Sequence, residues 1–134
     1  MPPNITKDDS AFKLYMGDTG LASYKAGLTL DNMNLFNKTF LGGITENYIA
    51  NTLAYNDYEL FYWVSSSIAE VDFIIMKDGK NIPIEVKSGD KVRSQSLNVY
   101  ISNYFPEYAI RVSARNFGFV NNIKSVPLYA AYLI

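Results

Sequence analysis

The apolar and polar positions of this chain change period several times, and each change marks an expected element. Residues 1–11 are mostly polar, with Pro2 and Pro3, and read as a lead-in or linker. Phe12-Lys13-Leu14-Tyr15-Met16 reads as a short strand. Asp18-Thr19-Gly20 is a turn in which Asp18 or Thr19 can cap a short helix over residues 21–27, ended by Gly27. Residues 28–41 fit neither period. Gly42-Gly43 then breaks the pattern, Thr45 is placed as an N-cap, and a helix runs to about residue 56. Its apolar stripe of Ile49, Ala50 and Leu53 also carries Glu46. A carboxylate there either finds a partner, because an unpaired buried charge is costly, or reaches solvent and favours the helix dipole.

Three strands are expected next, over Leu60–Val64, Glu70–Met76 and Ile82–Lys87. Asp78-Gly79 joins the last two as a two-residue hairpin turn. Ser94 to Tyr104 has a helical stripe of Leu97, Tyr100, Ile101 and Tyr104, and Pro106 prevents its continuation. Tyr108–Ser113 and Val126–Ile134 read as strands. This order predicts a mixed α/β domain over residues 12–134, with the last helix crossing over to a parallel strand.

The hairpin carries the chemistry. With Asp78 and Gly79 as the turn residues, Ile74 opposes Pro83, Asp72 opposes Glu85 and Glu70 opposes Lys87. Alternation then gathers Glu70, Asp72, Glu85 and Lys87 on one face. Val71, Phe73, Ile75, Ile82, Ile84 and Val86 form the apolar face. Opposed carboxylates, with Cβ atoms about 5 Å apart, repel unless one is protonated or a cation lies between them. Asp72→Ala or Glu85→Ala should therefore stabilise the chain in metal-free buffer. A solvated face with Lys87 pairing Glu70 is the plainer alternative, and a β-bulge would upset the register.

Composition narrows the chemistry. The 134 residues are 49% hydrophobic and 19% charged, as expected of one globular domain. There is no Cys and no His, which excludes disulfides, Cys or His zinc sites, and Ser-His-Asp catalysis. Any metal ligands are then oxygens, which favours Mg²⁺, Mn²⁺ or Ca²⁺. Twelve basic residues against 13 acidic ones, a net charge of −1, argue against strong autonomous nucleic-acid binding. No apolar run approaches the roughly 20 residues of a membrane span, so no membrane association is expected. Met1-Pro2-Pro3-Asn4 shows no signal peptide, which leaves the cytoplasm as the default location. There is no Gly-rich phosphate loop for ATP hydrolysis.

Glu46, Asp72 and Glu85-Val86-Lys87 together resemble the PD-(D/E)xK nuclease superfamily. That resemblance implies a restriction-endonuclease-like α/β core, helix–three strands–helix–strand, with a mixed central sheet flanked by helices. A wider set of motifs is similar to the C-terminal domain of unknown function that follows AAA+ ATPase modules in bacteria and archaea. These are Phe12-Lys13-Leu14-Tyr15, Asp18-Thr19-Gly20-Leu21, Glu46-Asn47, Tyr62-Trp63, Ala69 to Phe73, Ile84 to Gly89 and Pro127-Leu128-Tyr129. This implies a C-terminal piece of a longer ATPase, with the AAA+ module as a partner in the same chain.

Carried over residue by residue, Asp72 and Glu85 would hold Mg²⁺ or Mn²⁺, with the Val86 carbonyl as a third ligand. Glu46 would bind the ion directly or through water. Lys87 would orient the attacking water and stabilise the transition state. Glu70 is additional and could hold Lys87, and Val71 stands where the pattern often has Pro. Lys91 and Arg93 could reach nucleic-acid phosphates, although solvated surface charge is the commoner role. Tyr62, Trp63 and Tyr104 could stack on bases, but aromatics in strands and helix stripes are more often core. The expected function is metal-dependent hydrolysis of DNA or RNA. The alternative is a non-catalytic nucleic-acid- or protein-binding module on the same fold.

Overall fold

A computed structural model describes residues 10–66, 69–89 and 95–134. Helix α1 (Thr19–Lys25) is followed by α2 (Lys38–Tyr55) and strands β1 (Phe61–Val64), β2 (Glu70–Lys77) and β3 (Lys80–Val86). Then come α3 (Gln95–Tyr104), β4 (Ala109–Ser113), β5 (Gly118–Val120) and β6 (Ile123–Pro127). The strands form one six-stranded sheet in the order β1-β2-β3-β4-β6-β5. The pairs β1–β2, β2–β3 and β5–β6 are antiparallel, while β3–β4 and β4–β6 are parallel. The fold is α/β with a mixed sheet, and α3 makes the expected parallel crossover.

Both sheet faces are covered. Ile49, Ala50 and Leu53 of α2 pack on Phe73, Ile75, Ile82, Ile84, Ile110 and Val112. Leu97 and Tyr100 of α3 pack on Trp63, Val71, Ile74, Ala109 and Ile123 on the other face. Among the described residues no helix is long and apolar enough to cross a membrane.

Several boundaries differ from the sequence reading for identifiable reasons. The extended residues 12–16 join no ladder, because the Met16 backbone is already engaged by side chains of α2. Its N–H donates to Asn47 Oδ1 at 2.7 Å, and its carbonyl accepts from Asn47 and Asn51. Helix α2 starts earlier than Thr45: Asn37 caps it by accepting from the Phe40 N–H, and Gly42-Gly43 lie inside it. Thr45 instead bonds back to the Leu41 carbonyl. The last expected strand, 126–134, is strand only through Pro127; a 3-10 helix, Leu128–Leu133, completes it. Strand β5 was not expected. It joins β6 through Asn121-Asn122, both with positive φ, as tight hairpin turns require.

The β2–β3 hairpin turns at Asp78-Gly79, also both at positive φ. Its register runs as read from Lys77↔Lys80 through Ile74↔Pro83 to Phe73↔Ile84, where the ladder stops. The cause lies on the other side of β2. Phe61 pairs with Ile74 but Trp63 with Val71, so two steps on β1 face three on β2. The extra residue is a β-bulge at Asp72-Phe73. It moves Val71 to the α3 face, not the face it was expected to share with Phe73 and Ile75.

Candidate functional site

The bulge re-aims the acidic residues. Asp72 and Glu85 fall beyond the paired part of the ladder, although the Glu85 charge still contributes to raising the Asp72 pKa. The Asp72 carboxylate reaches along the strand end, where its Oδ2 accepts the Val86 N–H at 2.7 Å. Glu46 arrives from α2, whose apolar stripe packs on the same sheet face. Glu70 opens β2, two residues before the bulge.

These three carboxylates converge on one ammonium group. Lys13 Nζ lies 2.9 Å from Glu46 Oε1 and 4.0 Å from Asp72 Oδ1, and it pairs with Glu70. The Tyr62 ring, on β1 opposite the bulge, sits 5.4 Å from the same nitrogen. Tyr15 adds a hydrogen bond, its hydroxyl donating to Glu46 Oε1 at 2.6 Å, while its ring packs on Phe73. Glu46 thus has partners, which resolves the choice left open by its place on the helix.

Burial and mutual repulsion show in the protonation equilibria. Asp72 is pushed up to about 6, first by burial, against the lowering effect of the Val86 N–H, with Glu46 adding to the rise. Burial works against the charge on Lys13, but hydrogen bonds to Glu70 and Glu46 outweigh it and raise its pKa. Burial, then the Glu46 hydrogen bond, drives the Tyr15 hydroxyl well above the usual phenol range.

Glu85 and Lys87 form a second unit. Glu85 is 2% exposed, and its Oε1 lies 3.1 Å from Lys87 Nζ. Its other oxygen, Oε2, is buried with no hydrogen-bond partner. Lys87 therefore pairs with Glu85 rather than with Glu70, because the bulge has turned Glu70 toward Lys13. Val86 contributes its N–H to Asp72. Lys91 and Arg93 lie outside the described residues. Trp63 donates to the Tyr104 hydroxyl at 3.1 Å and meets both Tyr100 and Tyr104 edge-on, so it is engaged in the α3-side packing. Asp18 is a cap, accepting the Leu21 N–H.

Lys13, Tyr15, Asn47 and Asn51 were missed as site residues. The signal was present but inverted: along 12–16 the polar side chains turn inward, and Phe12 and Leu14 turn to solvent.

The donor chemistry suits a hard divalent cation, being all oxygen, with one buried Glu85 oxygen lacking a donor. The arrangement is not a ready-made cage. Among the described residues no group of three or more acidic side chains stands in position to hold a metal ion. The point where Glu46, Glu70 and Asp72 converge is filled by Lys13.

The family described as Domain of unknown function (DUF4143) matches residues 41–131, and the chain belongs to it. The match includes Glu46, Asp72, Glu85 and Lys87 but not Lys13 or Tyr15. No curated protein and no solved structure matches the chain.

Proposed function

We propose that this member of the DUF4143 family is a PD-(D/E)xK domain that hydrolyses phosphodiester bonds of DNA or RNA. Asp72, Glu85 and the Val86 carbonyl would hold Mg²⁺ or Mn²⁺, with Glu46 as a further ligand. The order α2, β1, β2, β3, α3, β4 supports a restriction-endonuclease-like core. By resemblance, the domain would serve an AAA+ ATPase module in the same polypeptide.

The observation that carries the reading is the lone oxygen of Glu85. A carboxylate oxygen buried without a donor costs free energy on the order of 1–3 kcal/mol or more. A cation at that oxygen removes the cost. When bound, such an ion supplies Lewis-acid stabilisation and makes water more acidic. Lys87, held 3.1 Å from Glu85 Oε1, brings a positive charge to the same strand end. There it can orient a water molecule and offset charge on phosphoryl oxygens. Asp72, pushed up to about 6 by burial, is mostly ionised at neutral pH, and a cation beside it would favour that charge further.

A second reading has its own support: Lys13 already pairs with Glu46 and Glu70 and stands 4.0 Å from Asp72. That favours a non-catalytic binding module on the same fold. Incubating supercoiled DNA and labelled single-stranded RNA with the domain in Mn²⁺ separates the two. Cleavage that is lost in Glu85→Ala without loss of folding is the expected result. Nucleic-acid binding with no cleavage, in both wild type and Lys13→Met, would leave the binding module.

A further inference from the structure

We propose that residues 12–16 are a removable strap whose Lys13 ammonium occupies the carboxylate site and must leave before a divalent cation enters. This rests on reading Glu46, Asp72 and Glu85 as ligands, and it explains why Glu46 and Asp72 are held by an ammonium group.

Three observations carry it. The first is position. Lys13 Nζ touches Glu46 and Glu70, stands 4.0 Å from Asp72 and faces Tyr62, so the strap's one cation sits at the convergence point itself. The second is how the strap is held. Phe12 is 80% exposed and Leu14 88%, so the segment has little apolar anchoring. Tyr15 is the exception, packing on Phe73 and bonding Glu46. The remaining grip is polar: the Asn47 and Asn51 side chains hold the Met16 backbone. Releasing Lys13 and Tyr15 therefore breaks ion pairs and hydrogen bonds to groups that water can serve, with modest exposure of apolar surface. The third is charge. One ammonium faces three carboxylates, and a divalent ion brings twice the charge to the same oxygens.

The strap also has the advantage of tethering. A group on the same chain competes at an effective concentration of about millimolar or more. Apparent metal affinity then falls by the fraction of molecules whose strap is open. The Lys13 stem is flexible and its ammonium a compact charge, which suits a group that enters and leaves a site.

Calorimetric Mn²⁺ titration of wild type, Lys13→Met and Lys13→Arg tests this, with folding checked by melting. Lys13→Met is expected to bind Mn²⁺ at least tenfold more tightly than wild type, with Lys13→Arg close to wild type. Equal or weaker binding by Lys13→Met would overturn the strap while leaving the metal site standing. No Mn²⁺ binding by either protein would overturn the metal reading and the strap together. Should Lys13→Met fail to fold, wild type still decides. Under conditions where calorimetry records Mg²⁺ binding, hydrogen exchange at the Met16 amide, which bonds Asn47, should accelerate at least several-fold. Unchanged exchange with Mg²⁺ bound would overturn the strap.

Discussion

The two ends of the β2–β3 hairpin follow different rules. Near the turn, pairing is regular, and Ile75 and Ile82 are fully buried opposite each other. At the far end the ladder stops at Phe73↔Ile84, a bulge interrupts β2, and the carboxylates of partly buried Asp72 and buried Glu85 lie beside Val71 and Phe73. The turn end is held by burial, which scales with apolar area and involves no titrating group. The bulge end is held by one ammonium shared among Glu46, Glu70 and Asp72, so its balance depends on protons and cations. Stability is concentrated at one end, and responsiveness at the other.

The largest expected effect belongs to the turn end. Ile75→Ala should cost about 2–5 kcal/mol, because it removes a fully buried side chain from a packed face. Denaturant melts should give the same loss at pH 5 and pH 8. A loss that varied strongly with pH would erase the contrast between the two ends.

The next effect is the pH dependence of the bulge end. Asp72 is pushed up to about 6, above its ordinary 3.8, so the folded chain holds this proton more tightly than the unfolded chain does. The stability this contributes is fully present below about pH 4 and is lost as pH rises through about 6. Against Asp72→Asn, wild type should lose about 1–3 kcal/mol between pH 4 and pH 7.5 in metal-free buffer. Parallel stability curves for the two proteins would contradict the raised value. Asparagine is the informative replacement, since its amide oxygen can still accept the Val86 N–H. Alanine would leave that donor bare and cancel part of the gain expected from relieving repulsion.

The smallest effect is at the rim. Glu70 is half exposed, and Glu70→Gln should change stability by about 0.5 kcal/mol or less at physiological salt. A larger loss, measured by the same melts, would mean that Glu70 is more than one of several partners for Lys13.

The same contrast explains what could be read from the sequence. Asp78-Gly79 and the alternation of Ile75, Ile82 and Ile84 are local signals, and they gave the turn and the register up to Phe73. Glu70-Val71-Asp72-Phe73 alternates just as cleanly, yet the bulge falls there, because it is imposed by pairing with β1. A nonlocal constraint leaves no local mark. Lys13 was hidden in the same way: its partners lie on α2 and β2, so Phe12–Met16 looked like a strand. Gly42-Gly43 suggested a helix boundary by propensity, but the Asn37 cap and the buried stripe from Ile49 to Leu53 outweigh them. The sequence pattern groups Glu46, Asp72, Glu85 and Lys87 as one set. Their division into a Lys13-centred cluster and a Glu85–Lys87 pair was not legible there.

The most direct measurement is a Mn²⁺ titration followed by amide NMR on wild type, Lys13→Met and Glu85→Ala. Paramagnetic broadening centred on Asp72, Glu85 and Val86, stronger in Lys13→Met and absent in Glu85→Ala, is the expected result. Uniform broadening, or none in either wild type or Lys13→Met, would contradict a divalent-cation site at the bulge end of the hairpin.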